Sequence, residues 1–417
     1  MSSITVFGSR PLIGQVNIQG AKNSVLPILA ACLLCRSACT IHNCPYISDV
    51  DACLRILKHL GCKITRQGQT VVIDPDGVCC SEIPQRFMRE MRSSIVFLGA
   101  VLGKCGRTVL SLPGGCELGP RPIDLHLAGL SQLGVGIQEK HGEIHCQVQG
   151  STMDGGEIVL PIPSVGATEN IMIAACVAKG QTIIRNAAKE PEIVDLACFL
   201  NRCGAKIRGY GESSIVIEGV KELHGCEHRV IPDRIVLTTY MSAVAVSGGE
   251  ADFLQVNPHH VCSTLPFFRR CGCKLTVSKD RIHIKAPKRP ERIGTIVTGY
   301  YPGFPTDAQP VLMALVTIAK GTNIFVENIF ENRYHHVQEL IRLGANIRVE
   351  GRMAVVEGVD SLTGTQVKAA DLRGGAALLV AGLCAEGCTK VQGVEYIARG
   401  YEDIVRDLTM LGAKVRK

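Results

Sequence analysis

A single thiol, Cys116, sits in the stretch Pro113-Gly-Gly-Cys-Glu-Leu-Gly-Pro-Arg-Pro-Ile-Asp124, which carries three glycines, three prolines and one arginine, Arg121. A thiol can serve as acid or nucleophile, and a guanidinium beside it can hold an anion. Glycine opens backbone angles closed to other residues and proline fixes φ, so such a loop combines hinges with stiff pieces, as an active-site lid needs. Turns collect the same residues for conformational reasons alone. More charged and polar residues stand at the starts of apolar helical runs: Lys22 and Asn23, Arg92, Thr168 and Glu169, Arg234, Asp307, Asp371 and Arg373. Helix starts carry partial positive charge and unpaired N–H groups, which suits an anionic substrate. Asp371 and Thr168 serve equally well as helix caps. The cap reading does not suit Lys22, Arg92, Arg121, Arg333 or Arg399, because a cation there opposes the helix dipole.

The elements that must position these residues repeat. Leu60-Gly-Cys-Lys-Ile64, Leu133-Gly-Val-Gly-Ile137, Cys203-Gly-Ala-Lys-Ile207, Cys271-Gly-Cys-Lys-Leu275, Leu343-Gly-Ala-Asn-Ile347 and Leu411-Gly-Ala-Lys-Val415 place glycines 73, 70, 68, 72 and 68 residues apart. Regular self-similarity of this kind signals repeated supersecondary units. Each unit reads as an apolar helix, a short strand, an amphipathic helix stopped by its glycine, and a strand pair. Including the preceding strand it is βαβαββ-like. The first helices, such as Ile171 to Ala178 and Leu378 to Ala385, are apolar nearly all round and belong inside a domain. The strand pairs alternate, as sheets with one wet face do. The predicted fold is a two-domain inside-out α/β barrel of six repeats, three per domain, with helices central and sheets outside. Residues 22–230 form the first domain, and 1–21 with 231–417 the second. The sixth unit lacks one strand, and Ile4 to Phe7 is predicted to supply it.

Composition narrows the function. The chain has 417 residues, 46% hydrophobic and 20% charged, typical of folded globular proteins. Its formal charge of +7 favours small anionic partners, but no long basic run, few aromatics and no recognised motif speak for nucleic acid. The first ten residues lack a basic segment followed by an apolar core, and the longest apolar runs are about half of the roughly 20 residues a membrane span needs. A soluble, cytoplasmic protein without membrane insertion is expected. Twenty scattered cysteines then read as reduced thiols. Cys32 and Cys35 form a CxxC pair with no second pair to complete a zinc site, and are read as small buried apolar side chains. His259-His260 and His335-His336 stand at adjacent positions that point side chains apart, and are read as surface or cap histidines. No metal is expected.

Gly20-Ala-Lys-Asn23, Arg92-Ser-Ser94, Pro113-Gly-Gly-Cys116 through Arg121-Pro-Ile-Asp-Leu125, Ser164-Val-Gly-Ala-Thr168, Glu190-Pro-Glu192, Phe304-Pro-Thr-Asp307, Phe330-Glu-Asn-Arg333, Asp371-Leu-Arg373 and Arg399-Gly-Tyr401 closely resemble, in order and spacing, the UDP-N-acetylglucosamine 1-carboxyvinyltransferases of the enolpyruvyl transferase family, which have an EPSP synthase-like fold. The resemblance covers essentially the whole chain. It implies a cleft between two three-repeat domains, and transfer of the enolpyruvyl group of phosphoenolpyruvate to the 3-hydroxyl of UDP-N-acetylglucosamine with release of phosphate. The chemistry is addition then elimination through a tetrahedral ketal phosphate, the first committed step of peptidoglycan precursor synthesis. It implies Cys116 as the acid protonating carbon 3, able also to add to carbon 2, and Asp307 near the sugar hydroxyl as acceptor of its proton. Lys22, Arg121, Arg399 and Arg373 are implied to hold phosphoenolpyruvate, with Lys22 and Arg399 counted among the catalytic set. Asn23, Arg92, Arg121, Pro122, Ile123, Asp124, Leu125, Ser164, Val165, Asp307 and Ile329 are implied to line the sugar-nucleotide side. No cofactor is implied, a monomer is expected, and Cys116 is the expected target of the epoxide fosfomycin. Glu190 and Glu192 sit on a similar family loop but read equally as solvated surface acids. The sequence departs from some relatives at Ser48, where they carry lysine, and at Ile162-Pro163, where they are more polar; both changes touch binding. The sister class that uses shikimate 3-phosphate lacks the Pro-Gly-Gly-Cys loop. A non-catalytic sugar-nucleotide sensor would have no need to keep Lys22, Cys116, Asp307 and Arg399 together.

Overall fold

The computed structural model describes residues 3–8, 10–111 and 123–417, without the side chains of 89, 90, 92 and 93. Its strands form six four-stranded sheets of one pattern. In the sheet built from Glu157–Val159, Gln181–Arg185, Lys206–Arg208 and Ser214–Glu218, the first strand runs parallel to the second. The last strand then pairs antiparallel with both the second and the third. The alternation read from the sequence appears as burial: Ser214–Glu218 buries Ile215 and Ile217 on one face. The six sheets stay separate around helices packed within each unit, as the inside-out arrangement of six repeats expects, and no closed β-barrel forms among the described residues. Each sheet ends after four strands with its own edges, and the repeat period specifies the unit rather than closure.

The chain divides into two compact units. One is Gly20–Ile231, the loop 112–122 aside; the other is the segment up to Gln19 together with Pro232–Lys417. In each, a strand distant in sequence completes a sheet. Glu227–Arg229 lies parallel to Cys39–His42 in the N-terminal unit. In the C-terminal unit, Ile13–Asn17 lies parallel to Glu250–Leu254. Ser3–Phe7 pairs with Cys388–Gln392 and Lys414–Arg416, so the N-terminal strand completes the sixth sheet.

Apolar helices fill each unit. All eight residues of Gln309–Val316 are buried, as are most of Arg234–Ser247 and Leu372–Cys384, and these three helices pack on one another. Truncating a side chain in this core, such as Leu315, which is 1% exposed, costs about 2–5 kcal/mol. The amphipathic helix Ser48–Leu60 stops at Gly61, whose φ of 110° is left-handed. Glycines 134, 204, 272, 344 and 412 all share positive φ. A β-carbon there costs about 1–2 kcal/mol, so glycine recurs for a conformational reason.

Candidate active site

In the N-terminal unit, Lys22 opens the helix Lys22–Ala31. Its Nζ lies 2.6 Å from Asp49 Oδ2, with side-chain exposures of 11% and 1%. The buried carboxylate supplies what the helix dipole denies, a reason for a cation at a helix start. Gly20 is required just before it, since a β-carbon would fall 1.8 Å from the Asn43 carbonyl oxygen. The next turn is anchored as well. Ser24 donates to Asp195, which also accepts from His228 Nε2 at 3.0 Å and from the Ile231 N–H at 3.3 Å. Asn23 is exposed.

A second group of this unit is held by Asn170 on the helix Val165–Ala175. Its amide nitrogen donates to the Ile95 carbonyl at 2.8 Å and to His126 Nδ1 at 2.7 Å, and its oxygen accepts from the Gly99 N–H at 2.7 Å. Burial pushes the His126 imidazole down to about 4, so it is the neutral acceptor this geometry needs. One buried amide thus ties the 3-10 turn Arg92–Val96 to the helix Asp124–Gln132, which follows the Cys116 loop. Ser164 caps Val165–Ala175 by accepting from the Ala167 N–H at 3.3 Å, so the expected binding residue has a structural task too. Thr168 does not cap; its hydroxyl accepts from the Ala188 N–H at 3.1 Å. Asp124 is exposed, while Ile123, Leu125 and Val165 are half-buried.

In the C-terminal unit the arrangement centres on Asp307. Arg333 donates to Asp307 Oδ1 at 3.0 Å and, through two nitrogens, to the Thr306 carbonyl at 3.1 and 3.0 Å. Arg373 donates from Nε and one terminal nitrogen to Asp307 Oδ2 at 3.2 and 3.1 Å. Both arginines are buried, at 2% and 3% side-chain exposure, whereas Asp307 keeps 28%. Burial would lower the Arg373 guanidinium, but the Asp307 charge beside it lifts its pKa above the ordinary arginine value. Asp371 caps the helix Leu372–Cys384, accepting from the Arg373 and Gly374 N–H groups at 2.9 and 3.0 Å. Glu327 accepts from the Ile329 and Phe330 N–H groups at 2.8 and 3.0 Å and from the Thr306 hydroxyl at 3.0 Å, fixing the turn that presents Ile329. Arg399 is half-buried in the turn after Val394–Ile397. Buried Gln19 clamps that turn, donating to the Gly400 carbonyl at 3.1 Å and accepting from the Glu402 N–H at 2.8 Å.

The structure therefore brings Asp307 and Arg373 together and adds Arg333 to them. Cys116, Arg121 and Pro122 lie outside the described residues, as does the side chain of Arg92. Two expectations are corrected. Glu190 and Glu192 are buried at 8% and 3% exposure rather than solvated, with Glu169 nearby. Burial, then the charges of Glu192 and Glu190, push the Glu169 carboxyl well up. His336 is 3% exposed rather than a surface residue, near Asp371 and Arg333, and stands at the N-cap position of Val337–Arg342, the other half of its reading. Sequence reading missed Asp49, Asn170, Glu327 and Gln19. Only Asp49 carries a local signal, an acid in a first helical turn.

The family model described as EPSP synthase (3-phosphoshikimate 1-carboxyvinyltransferase) matches residues 6–408. Over 415 residues the chain is 50% identical to UDP-N-acetylglucosamine 1-carboxyvinyltransferase 2 of Caldanaerobacter subterraneus subsp. tengcongensis, covering 100% of this chain and 99% of the relative. It is 46% identical over 419 residues to UDP-N-acetylglucosamine 1-carboxyvinyltransferase of Finegoldia magna, again covering 100% and 99%. The solved enolpyruvyl transferase NikO from Streptomyces tendae matches with a TM-score of 0.88 at 25% identity, over 99% of this chain and 98% of that one. An EPSP synthase from Acinetobacter baumannii shares the fold, with a TM-score of 0.77 at 17% identity over the whole of both chains.

Proposed function

Because the chain belongs to the UDP-N-acetylglucosamine 1-carboxyvinyltransferases, within the enolpyruvyl transferase family, we propose how its own residues divide that reaction. The enzyme transfers the enolpyruvyl group of phosphoenolpyruvate to the 3-hydroxyl of UDP-N-acetylglucosamine and releases phosphate, the first committed step of peptidoglycan precursor synthesis. The single observation that carries this reading is the 50% identity along the full chain to a relative of that name, rather than to the shikimate class.

The reaction must protonate carbon 3 of the enol, bond the sugar oxygen to carbon 2, and later remove a carbon 3 proton as phosphate leaves. Cys116 is the proposed acid, and its thiol can also add to carbon 2. Asp307 is the proposed acceptor of the hydroxyl proton. Guanidiniums make three hydrogen bonds to its carboxylate, and 28% of the side chain stays accessible to an approaching hydroxyl. Two cations make a carboxylate a weak base, but the hydroxyl becomes strongly acidic once its oxygen has bonded carbon 2. A weak, well-placed acceptor then suffices, with proton transfer following bond formation. Lys22, Arg121, Arg373 and Arg399 are proposed to hold the carboxylate and phosphate with charge-assisted bonds. Asn23, Arg92, Arg121 to Leu125, Ser164, Val165 and Ile329 are proposed to receive the sugar nucleotide. Cys116 is the proposed target of fosfomycin.

No helix among the described residues is long and apolar enough to cross a membrane. We place the enzyme in the cytoplasm as a monomer working on small-molecule substrates, not on nucleic acid, and serving wall growth and so cell shape and division. Phosphate release is measured with both substrates, with each alone, and with shikimate 3-phosphate replacing the sugar nucleotide. Release only with phosphoenolpyruvate and UDP-N-acetylglucosamine together is expected. None with both present rejects the enzymatic reading, and preference for shikimate 3-phosphate moves the chain to the sister class.

A further inference from the structure

The helix that presents Lys22 at its start runs to Ala31, and thiols gather just past its other end. A ten-residue helix is about 15 Å long, so this gathering is well separated from the Lys22 ammonium. The ligand-capable sulfurs of Cys35, Cys39 and Cys203 lie within 4.8 Å of one another, and all three residues are buried. Cys226 Sγ lies 3.4 Å from Cys203 Sγ. The backbone fixes these neighbours. Cys39 begins the strand Cys39–His42, and Cys226 immediately precedes its parallel partner Glu227–Arg229. The Thr40 N–H donates to the Cys226 carbonyl at 2.9 Å.

From this convergence we infer that Cys35, Cys39, Cys203 and Cys226 form a thiolate site for a divalent thiophilic cation of the zinc class. Four sulfurs about 2.3 Å from a tetrahedral zinc stand about 3.8 Å apart; here Cys35, Cys39 and Cys203 lie within 4.8 Å of one another, and Cys226 joins them through Cys203 at 3.4 Å. The pair that sequence spacing singles out is not the one used. Cys32 Sγ donates to the Ile28 carbonyl of its own helix at 3.3 Å and contacts Cys39 from the edge of the group. Packing of thiols as small apolar groups explains burial but does not require sulfurs from three separate segments to converge. Each coordinating thiol gives its proton to solvent, so four thiolates around a divalent ion leave two negative charges. Lys104 Nζ, donating to the Cys35 carbonyl at 3.2 Å, places a cation beside them. The metal would staple the far end of the Lys22 helix to Cys203, at the end of Pro191–Arg202, and to the strand Cys39–His42.

The full-length protein, purified reduced and under nitrogen, is assayed for bound zinc by elemental analysis and titrated with Co2+ after chelator treatment. We expect one zinc per chain, and thiolate-to-cobalt absorption that saturates at one equivalent and is displaced by Zn2+. Cys39→Ser weakens Co2+ binding by about tenfold or more, while Cys271→Ser, altering a buried two-thiol contact with Cys273, leaves it unchanged. Absence of both zinc and thiolate–cobalt bands in the wild-type protein overturns the site, whether or not Cys39→Ser folds. So does a Cys203–Cys226 disulfide as the only species in protein isolated with its native oxidation state trapped. Bands retained in full by a folded Cys39→Ser also overturn it.

Discussion

The two units use the same place in the repeat, the start of a central helix, with opposite electrostatics. In the N-terminal unit a cation is presented, Lys22, over a buried carboxylate, Asp49. In the C-terminal unit a carboxylate is presented, Asp307, over two buried cations, Arg333 and Arg373. In both, the partner beneath is more buried than the group it holds: 1% against 11%, and 2% and 3% against 28%. The difference teaches that the fold does not dictate the sign of the functional charge. It supplies a helix start and a buried position behind it, and the residue placed there decides the sign of the charge presented. Two guanidiniums around one carboxylate also fix it from two directions, where the lysine meets Asp49 as a point charge.

The comparison breaks most severely if the presented groups are neutralised. Asp307→Asn should lower kcat by about 10²–10⁴, the range for a lost proton acceptor, and Lys22→Gln by about 10²–10³, that of a lost electrostatic contact. Equal losses in KM alone, seen in steady-state kinetics, would reduce both to binding groups. Cys116→Asp should keep measurable turnover, while Cys116→Ser should lose about 10²–10⁴ because a hydroxyl is a poor acid near neutral pH. Next come the buried partners. Asp49→Asn and Arg373→Met each strand an opposite charge and should cost about 3–5 kcal/mol in urea unfolding. A cost confined to Asp49→Asn would show that Arg333 alone can hold Asp307.

A smaller effect concerns pH, since each unit holds one buried histidine pushed down to about 4, His126 and His336, chiefly by burial. A histidine whose folded pKa lies below its unfolded value of about 6.5 takes its proton more readily in the unfolded chain. Its contribution is therefore fully present above that value and lost as pH falls towards 4. His126 should account for about 3 kcal/mol of this loss. His126→Gln should flatten part of the acid limb of a stability profile, and an unchanged limb would mean that His126 takes its proton as readily in the folded chain as in the unfolded one. Least disruptive is Arg373→Lys, which keeps the charge but not the paired donors. It should cost about 1–2 kcal/mol, roughly five- to thirtyfold in kcat/KM.

Much of the architecture is legible because it is local. A glycine with positive φ after an amphipathic helix leaves a mark every 68 to 73 residues, and alternating strands leave another. Strands such as Glu82–Ile83 are too short for any alternation, and Ile13–Asn17 shows its meaning only when paired with Glu250–Leu254. At the site, the residues proposed to face substrate were legible through the family motifs. Those behind them were not, because their partners lie far along the chain: Gln19 reaches Gly400, and Asp195 reaches Ser24. Burial of Glu190, Glu192 and His336 likewise follows from tertiary packing, which a local polar pattern cannot announce. The thiols of Cys39 and Cys203 become neighbours for the same reason.

The completion of the sixth sheet by Ser3–Phe7 has a consequence for the order in which a ribosome delivers the chain. Gly20–Ile231 holds every strand of its own three sheets and can assemble once Glu227–Arg229 has emerged. Residues 3–7, made before the rest of the C-terminal unit, must wait for partners at 388–392 and 414–416. At about 5–20 residues per second the interval before Lys414–Arg416 appears is roughly 20–80 s. The oldest segment of the C-terminal unit is thus its final one to dock, and a nascent-chain arrest placed before residue 388 leaves it a solvent-exposed strand in search of an edge.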